Sequence, residues 1–142
     1  MSFAFQFLNV TQNILEEKSV TENFVFGKVR KGINIYGICK FKKCQAYQKE
    51  VIISLKGKET FKMANEINNL ECPICNGIIR PYNIGFKFCE FLIEGKIIED
   101  NEIKSFQISG ESRNPNIIKK FDSNRCGMIT FVELNIKVYI YF

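Results

Sequence analysis

Cys72-Pro-Ile-Cys75-Asn-Gly77 sets two thiols two residues apart, with Pro between them and Gly two places after the second. That spacing fits a zinc knuckle, a tight turn in which both sulfurs reach one ion and backbone N–H groups donate to the thiolates. Gly77 is expected to supply the positive φ that such a turn often needs. A second pair lies upstream in Cys39-Lys-Phe-Lys-Lys-Cys44, and 27 residues separate Cys44 from Cys72. The chain has no His, so mixed Cys/His sites are excluded. Two close Cys pairs that two strands can join predict one structural Zn²⁺ held by Cys39, Cys44, Cys72 and Cys75. Such a closed tetrahedral site leaves no position open for substrate.

Two thiols remain. Cys89 sits in an apolar stretch and reads as a small buried hydrophobe. Thirteen residues separate it from Cys75, which puts it within reach to replace Cys39 or Cys44 as a ligand. Cys126, between Arg125 and Gly127, reads as a loop or turn residue, with a reactive thiol as the alternative. Catalysis finds no support. The usual base near neutral pH is absent. The carboxylates of Asp100, Glu102, Glu16 and Glu17 have no visible pocket context, and no phosphate loop, dinucleotide fingerprint or nucleophile elbow is present. The chain reads as a non-enzyme.

The 142 residues suffice for one domain plus a short arm. With 46% hydrophobic residues and 14 Phe, a real core is affordable and compositional disorder is excluded. No apolar run approaches the roughly 20 residues of a membrane span. The N-terminus lacks a basic leader, so a reducing compartment, cytosol or nucleus, is expected. There a Cys-x2-Cys pair is a metal or redox motif before it is a disulfide framework. The net charge of +5 is uneven. Residues 28–62 hold ten Lys/Arg against Glu50 and Glu59, and the remainder holds ten against thirteen. Ile, Lys, Asn and Phe together make up 65 residues, and all four use AT-rich codons, so codon bias alone can supply much of the Lys content. The basic block surrounds the first Cys pair. It reads as a solvated surface or as a polyanion-binding face.

The elements that must position the thiols read as mainly β, an antiparallel sheet with a four-Cys zinc-ribbon-like clamp and little helix. Residues 1–23 are expected to be an N-terminal arm and 24–142 a zinc-stabilised β domain. In the arm, Phe3, Phe5 and Phe7 alternate as in a strand, and Ile14 to Lys18 suits one or two helical turns. Strands are expected over Phe24–Val29, over Gly32–Gly37 leading into Cys39, over Ala46–Leu55 and over Thr60–Ala64. Gly37, two residues before Cys39, predicts close backbone approach. A helical turn is expected within Ala64–Leu70, and Lys56-Gly57-Lys58 marks a turn. After the second knuckle, Ile78–Pro81 is extended. Gly85–Ile93 reads as a strand that turns at Glu94-Gly95 into a returning Lys96–Glu99. Ile103–Ser109 is a further strand, and Gly110–Gly127 a polar loop. From Met128 the even positions read Met128, Thr130, Val132, Leu134, Ile136, Val138, Ile140 and Phe142 against Glu133, Asn135 and Lys137 on odd ones, which predicts one buried face. Fifteen residues at ~3.3 Å each are long for this domain, so a bend or bulge is expected.

The string Gly32-x-Asn34-x-x-Gly37-x-Cys39-x4-Cys44-x-Ala46-Tyr47, then Cys72-Pro73-x-Cys75 and Gly85-Phe86-x-x-Cys89, resembles a family of small zinc-ribbon-like domains. These occur in protists of AT-rich genome and some fungi, and some are joined to ubiquitin-like or RING modules. The resemblance covers roughly residues 28–142 and implies Cys39, Cys44, Cys72 and Cys75 as the metal set. Several relatives carry a further Cys where this chain has Ile84, and that departure argues against a second metal at Cys89. No activity follows from it.

The function expected is that of a protein-binding or structural subunit of a larger assembly. Phe3, Phe5, Phe7, Tyr139 and Tyr141 are the candidate protein contacts. The alternatives are a nucleic-acid-binding zinc ribbon, with Lys40, Lys42 and Lys43 on phosphates and Phe41 or Tyr47 stacking on bases, and a ubiquitin-pathway adaptor.

Overall fold

The computed structural model describes residues 4–20, 26–55 and 58–141. Ten strands form two antiparallel sheets: β1 (Phe5–Leu8), β2 (Leu15–Ser19), β3 (Gly32–Cys39), β4 (Glu50–Ser54), β5 (Thr60–Lys62), β6 (Ile79–Lys87), β7 (Cys89–Glu99), β8 (Glu102–Ser112), β9 (Ile117–Phe121) and β10 (Met128–Ile140). One sheet has the order β1-β10-β7-β8, with β5 also on β10; the other has the order β2-β9-β6-β3-β4. Strand accounts for 59% and helix for 8%, so the mainly β reading holds. Among the described residues, helix is confined to α1 (Met63–Glu66) and two short 3-10 turns. The sheets share one core. Ile33, Ile35, Ile84 and Phe86 from one meet Phe91, Ile93, Leu134 and Ile136 from the other in a single buried cluster. The Phe86 and Phe91 rings stack at 4.0 Å across the layer.

The segment read as an arm belongs to both sheets. β1 pairs with Met128–Phe131 and β2 with Ile117–Phe121. Phe7 and Val10 are fully buried, and Phe5 stacks on Phe131 at 5.7 Å. Phe7 is therefore core and not a contact surface; Phe3 lies outside the described residues. Leu15 to Ser19 is extended rather than helical because its charges meet a complementary strand. Glu16 and Glu17 face Lys120 and Lys119 across the ladder, with Lys119 Nζ 3.7 Å from Glu17 Oε1. The expected strand over Phe24–Val29 is absent in its described part, residues 26–29, where Gly27 takes φ 96°. Residues 46–49 turn instead of extending, with Gln48 at φ 61°, and the strand begins only at Glu50. Of the expected turn at Lys56-Gly57-Lys58, residues 56 and 57 lie outside the described residues, and Lys58 N–H donates to the Leu55 carbonyl at 3.0 Å.

The expected hairpin at Glu94-Gly95 does not form. β7 runs through both residues to Glu99, and the chain reverses at Asp100 and Asn101, with φ 52° and 63°. Two successive positive φ values suit a type I′ hairpin, and Asp and Asn tolerate them. Gly95 has a different task. β10 bulges between Phe131 and Glu133, and a Cβ on Gly95 would lie 2.2 Å from the Glu133 carbonyl oxygen. The bulge also resets the phase of β10. Beyond it Leu134, Ile136 and Val138 point inward as expected, but before it Phe131 is buried and Met128 is 54% exposed. An extra residue in one strand inverts the faces on either side of it. Gly110 is likewise inside a strand, where a Cβ would meet the Phe91 ring at 2.5 Å. The end of β8 and the whole of β9 thus replace eight of the eighteen residues of the expected loop.

β6 crosses from one sheet to the other at Phe88, whose φ of 49° turns the chain into β7. Tyr141 donates its N–H to the Phe88 carbonyl at 3.1 Å and packs edge-on against that ring at 5.3 Å. Tyr141 covers a local neighbour, while Tyr139 is 66% exposed. On the outer face of the second sheet Tyr36, Ile52 and Ile118 form a small buried cluster under Val20, Val29 and Tyr82. β3 is consequently buried on both faces.

Candidate metal centre

β3 ends at Cys39, and β6 begins opposite it, with Cys39 facing Ile79. This pairing sets the two Cys turns side by side. The first turn links β3 to β4. The second is closed by an antiparallel bridge between Glu71 and Ile78. Lys40 N–H donates to the Ile78 carbonyl at 3.1 Å and ties one turn to the other. Gly37 makes the close approach that its position predicts, although toward β6: a Cβ there would lie 2.8 Å from Ile79 Cδ1 and 3.1 Å from the Arg80 carbonyl oxygen.

Each turn presents its sulfurs by local hydrogen bonding. Ala46 N–H donates to Cys44 Sγ at 3.3 Å, Ile74 N–H to Cys72 Sγ at 3.4 Å, and Gly77 N–H to Cys75 Sγ at 3.3 Å. Three of the four thiols therefore accept from the amide two residues on, one in the Cys-x4-Cys turn and two in the Cys-x2-Cys turn. At Cys39 the Phe41 backbone amide favours the thiolate. The positive φ falls on Asn76, at 59°, and not on Gly77. Asn tolerates that region. Gly77 is small for a steric reason instead, because a Cβ there would stand 3.1 Å from Cys75 Sγ and 3.2 Å from Phe41 Cβ.

The four sulfurs lie within 4.8 Å of one another. Cys39 Sγ and Cys75 Sγ are 3.7 Å apart, and Cys44 Sγ and Cys72 Sγ are 3.9 Å apart. Four thiolates at ~2.3 Å from a central ion stand about 3.8 Å apart in a tetrahedron. A disulfide would need ~2.05 Å, and all six cysteines are free thiols. The cluster could hold one metal ion. Cys39 and Cys72 are buried and Cys44 and Cys75 half-buried, so the set is closed inward and open to solvent on one side. Burial pushes the Cys39 thiol well above its ordinary range, with its sulfur neighbours adding to the effect. At Cys72 burial acts in the same direction but is outweighed by the Cys75 and Ile74 amides, which favour the thiolate. A cation at the centre would favour the thiolate at all four.

Cys89 is not part of this group. It is fully buried in the core, and burial pushes its thiol up to about 12 from an ordinary 9.0. The pH consequence follows from the sign of the shift. Below pH 9 both folded and unfolded chains hold the proton, and the contribution to stability is complete. Between pH 9 and 12 only the unfolded chain releases it, and stability falls by up to ~1.4 kcal/mol per pH unit. Cys89→Ala should therefore lose less stability than wild type over this window. Denaturant unfolding at pH 8 and pH 10.5 checks it, and parallel losses in both proteins would refute it. Cys126 is also buried, in the turn after β9, and burial followed by the Asp122 carboxylate raises its thiol. Neither environment activates a nucleophile.

The proposed nucleic-acid residues divide. Lys40, Phe41, Lys42 and Lys43 are exposed on the first turn. Tyr47 is half-buried, and its hydroxyl accepts a hydrogen bond from Gln48 Nε2 at 3.2 Å. The basic block as a whole is not one face: Lys62 sits on β5 in the other sheet, and Lys58 pairs with Glu66. Two exposed residues at the centre escaped sequence reasoning, Ile74 at 50% and Ile78 at 78%. Their only signal was an aliphatic side chain inside a turn too tight to bury it. No helix among the described residues is long and apolar enough to cross a membrane. No protein-family model matches the chain, and neither a curated protein nor a solved structure matches it.

Proposed function

We propose that this chain is a non-catalytic, zinc-stabilised β-sandwich that acts as a protein-binding or structural subunit. The observation that carries the reading is the closed set of four sulfurs at the spacing of a tetrahedral thiolate centre. Four thiolates saturate Zn²⁺, so the ion ties two turns together and offers no site for substrate. Soft, tetrahedral sulfur donors select zinc or iron. Elemental analysis of the purified chain separates the two, and iron would overturn the assignment of zinc. The interaction reading is tested by affinity capture with the metal-loaded chain, after nuclease treatment and at two salt concentrations. A captured protein that persists at moderate salt supports it. Capture only of nucleic acid refutes it.

A second reading, nucleic-acid binding, draws on the exposed Phe41 flanked by Lys40, Lys42 and Lys43. Binding to phosphates falls steeply with salt. Lys42→Glu with Lys43→Glu should reduce oligonucleotide binding by at least tenfold if that reading holds. The zinc content and melting temperature should stay the same, because both side chains are exposed. Fluorescence anisotropy with a labelled single-stranded oligonucleotide measures the change, and no binding by wild type at low salt would remove the reading.

A further inference from the structure

Three of the seven large apolar side chains exposed among the described residues gather at the metal centre: Phe41 at 47%, Ile74 at 50% and Ile78 at 78%. Their backbones are locked to one another through the centre. The Ile74 amide donates to Cys72 Sγ and the Phe41 carbonyl accepts from the Cys44 amide at 3.0 Å, and the sulfurs of Cys72 and Cys44 both belong to the one cluster. Phe41 Cβ lies against Gly77, and the Ile78 carbonyl accepts from Lys40. The other exposed apolar residues are placed differently. Ile98 and Ile103, for instance, face each other across the β7–β8 ladder, away from the metal centre. Single exposed apolar residues are ordinary, whereas a rigid group of three is the form an interaction surface takes. Short turns held by four ligands also leave little ordering to be done on binding.

The rim decides the class of partner. Lys40, Lys42, Lys43 and Arg80 are exposed around the three side chains, and Glu71 is the exposed acid beside them, paired with Ile78. Zn²⁺ with four thiolates carries two negative charges. Four cations against Glu71 and a doubly negative centre leave about one net positive charge. That residue of charge is too small for a run of phosphates, which rewards each uncompensated cation. It suits a segment with one or two carboxylates beside apolar anchors. Two of the three exposed groups are aliphatic, which fill pockets but do not stack on bases.

We infer that the tip of the metal centre, formed by Phe41, Ile74 and Ile78 and rimmed by Lys40, Lys42, Lys43 and Arg80, is a docking surface for a protein segment that presents aliphatic or aromatic side chains flanked by acidic residues. The inference rests on the protein-binding reading and assigns it a surface and a ligand chemistry.

The test is selection of a randomised twelve-residue peptide library on the immobilised, zinc-loaded chain, with a twenty-residue oligo(dT) strand as a parallel probe. Enriched peptides should combine Asp or Glu with Leu, Ile, Phe or Met. They should bind Ile74→Ser/Ile78→Ser at least roughly tenfold more weakly, as for a buried anchor. The two isoleucines are exposed, so metal content and melting of this variant should match wild type. Phe41→Ser should also weaken binding; it contacts Gly77, so its metal content is measured alongside. Enrichment of acidic, apolar peptides that bind the variants equally well would overturn the surface while leaving the protein-binding reading intact. Enrichment of basic peptides would overturn the ligand chemistry. No enrichment, with oligo(dT) retained, would overturn both this inference and the reading beneath it. No enrichment and no oligo(dT) retention would overturn the inference alone.

Discussion

Cys44→Ser should lower the melting temperature by roughly 10 °C or more, although Cys44 is only half-buried. Ser is nearly the same size as Cys, so lost packing at a half-exposed position explains little of such a fall. Loss of a bound metal is among the few mechanisms that cost more than about 4 kcal/mol in one substitution, and for a domain of this size each kcal/mol is worth about 2–5 °C. Cys39→Ser removes a ligand from a fully buried position and should cost at least as much. Cys89→Ala serves as the control. It deletes an equally buried sulfur outside the cluster and should cost only about 1–2 kcal/mol. Differential scanning calorimetry of the three variants, with and without chelator, separates ligation from packing. Chelator should bring wild type down to the level of Cys44→Ser and leave that variant where it is. A Cys44→Ser protein that melts within about 2 °C of wild type would show that the four sulfurs hold nothing.

A second large effect is expected far from the metal. Gly95→Ala adds one methyl group 2.2 Å from the Glu133 carbonyl oxygen and 2.9 Å from its carbonyl carbon. Both are backbone atoms at the bulge of β10, and neither can rotate away. Relief requires the central β7–β10 ladder to separate, and that ladder also holds β1 and β5 in place. The expected loss is about 3 kcal/mol or more, near the top of the usual range for point changes. Gly127→Ala is the matched control, because a Cβ there meets nothing within 4 Å. Urea unfolding of both variants measures the difference. Equal midpoints would contradict the steric account of Gly95.

These two residues also show what the sequence could and could not convey. The cysteine cluster was legible because metal ligation depends on residue type and local spacing, and Cys-x4-Cys with Cys-x2-Cys leaves few other uses for four thiols in a His-free chain. The mainly β class was legible from β-branched runs, as in Val51-Ile-Ile and along β10. Gly95 was misread as a turn because a glycine that relieves a bulge in a neighbouring strand looks, in one dimension, like a glycine that reverses the chain. The true turn at Asp100-Asn101 carried the quieter signal. Gly77 was matched to the wrong physical need for the same reason: small size and positive φ both select Gly, and here Asn76 takes the φ. Met128 fell on the wrong face because a bulge was expected in β10 without its position. Phe7 and Leu15–Ser19 were set apart as an arm because their partners, β10 and β9, lie more than 90 residues away. Pairing over that distance leaves no local trace. The exposure of Ile74 and Ile78 leaves no mark in the sequence, because whether an apolar side chain is buried depends on its neighbours in space.

The central claim is that one zinc ion sits among Cys39, Cys44, Cys72 and Cys75 and that folding depends on it. The most direct measurement is metal content per chain by elemental analysis of protein purified without added metal, with Cys44→Ser prepared in parallel. The account predicts one zinc per wild-type chain, at most a small fraction of that in the variant, and a melting temperature that follows the metal content. A metal-free wild-type chain that melts unchanged in chelator would contradict it, leaving the four thiols as buried and half-buried side chains of the sandwich.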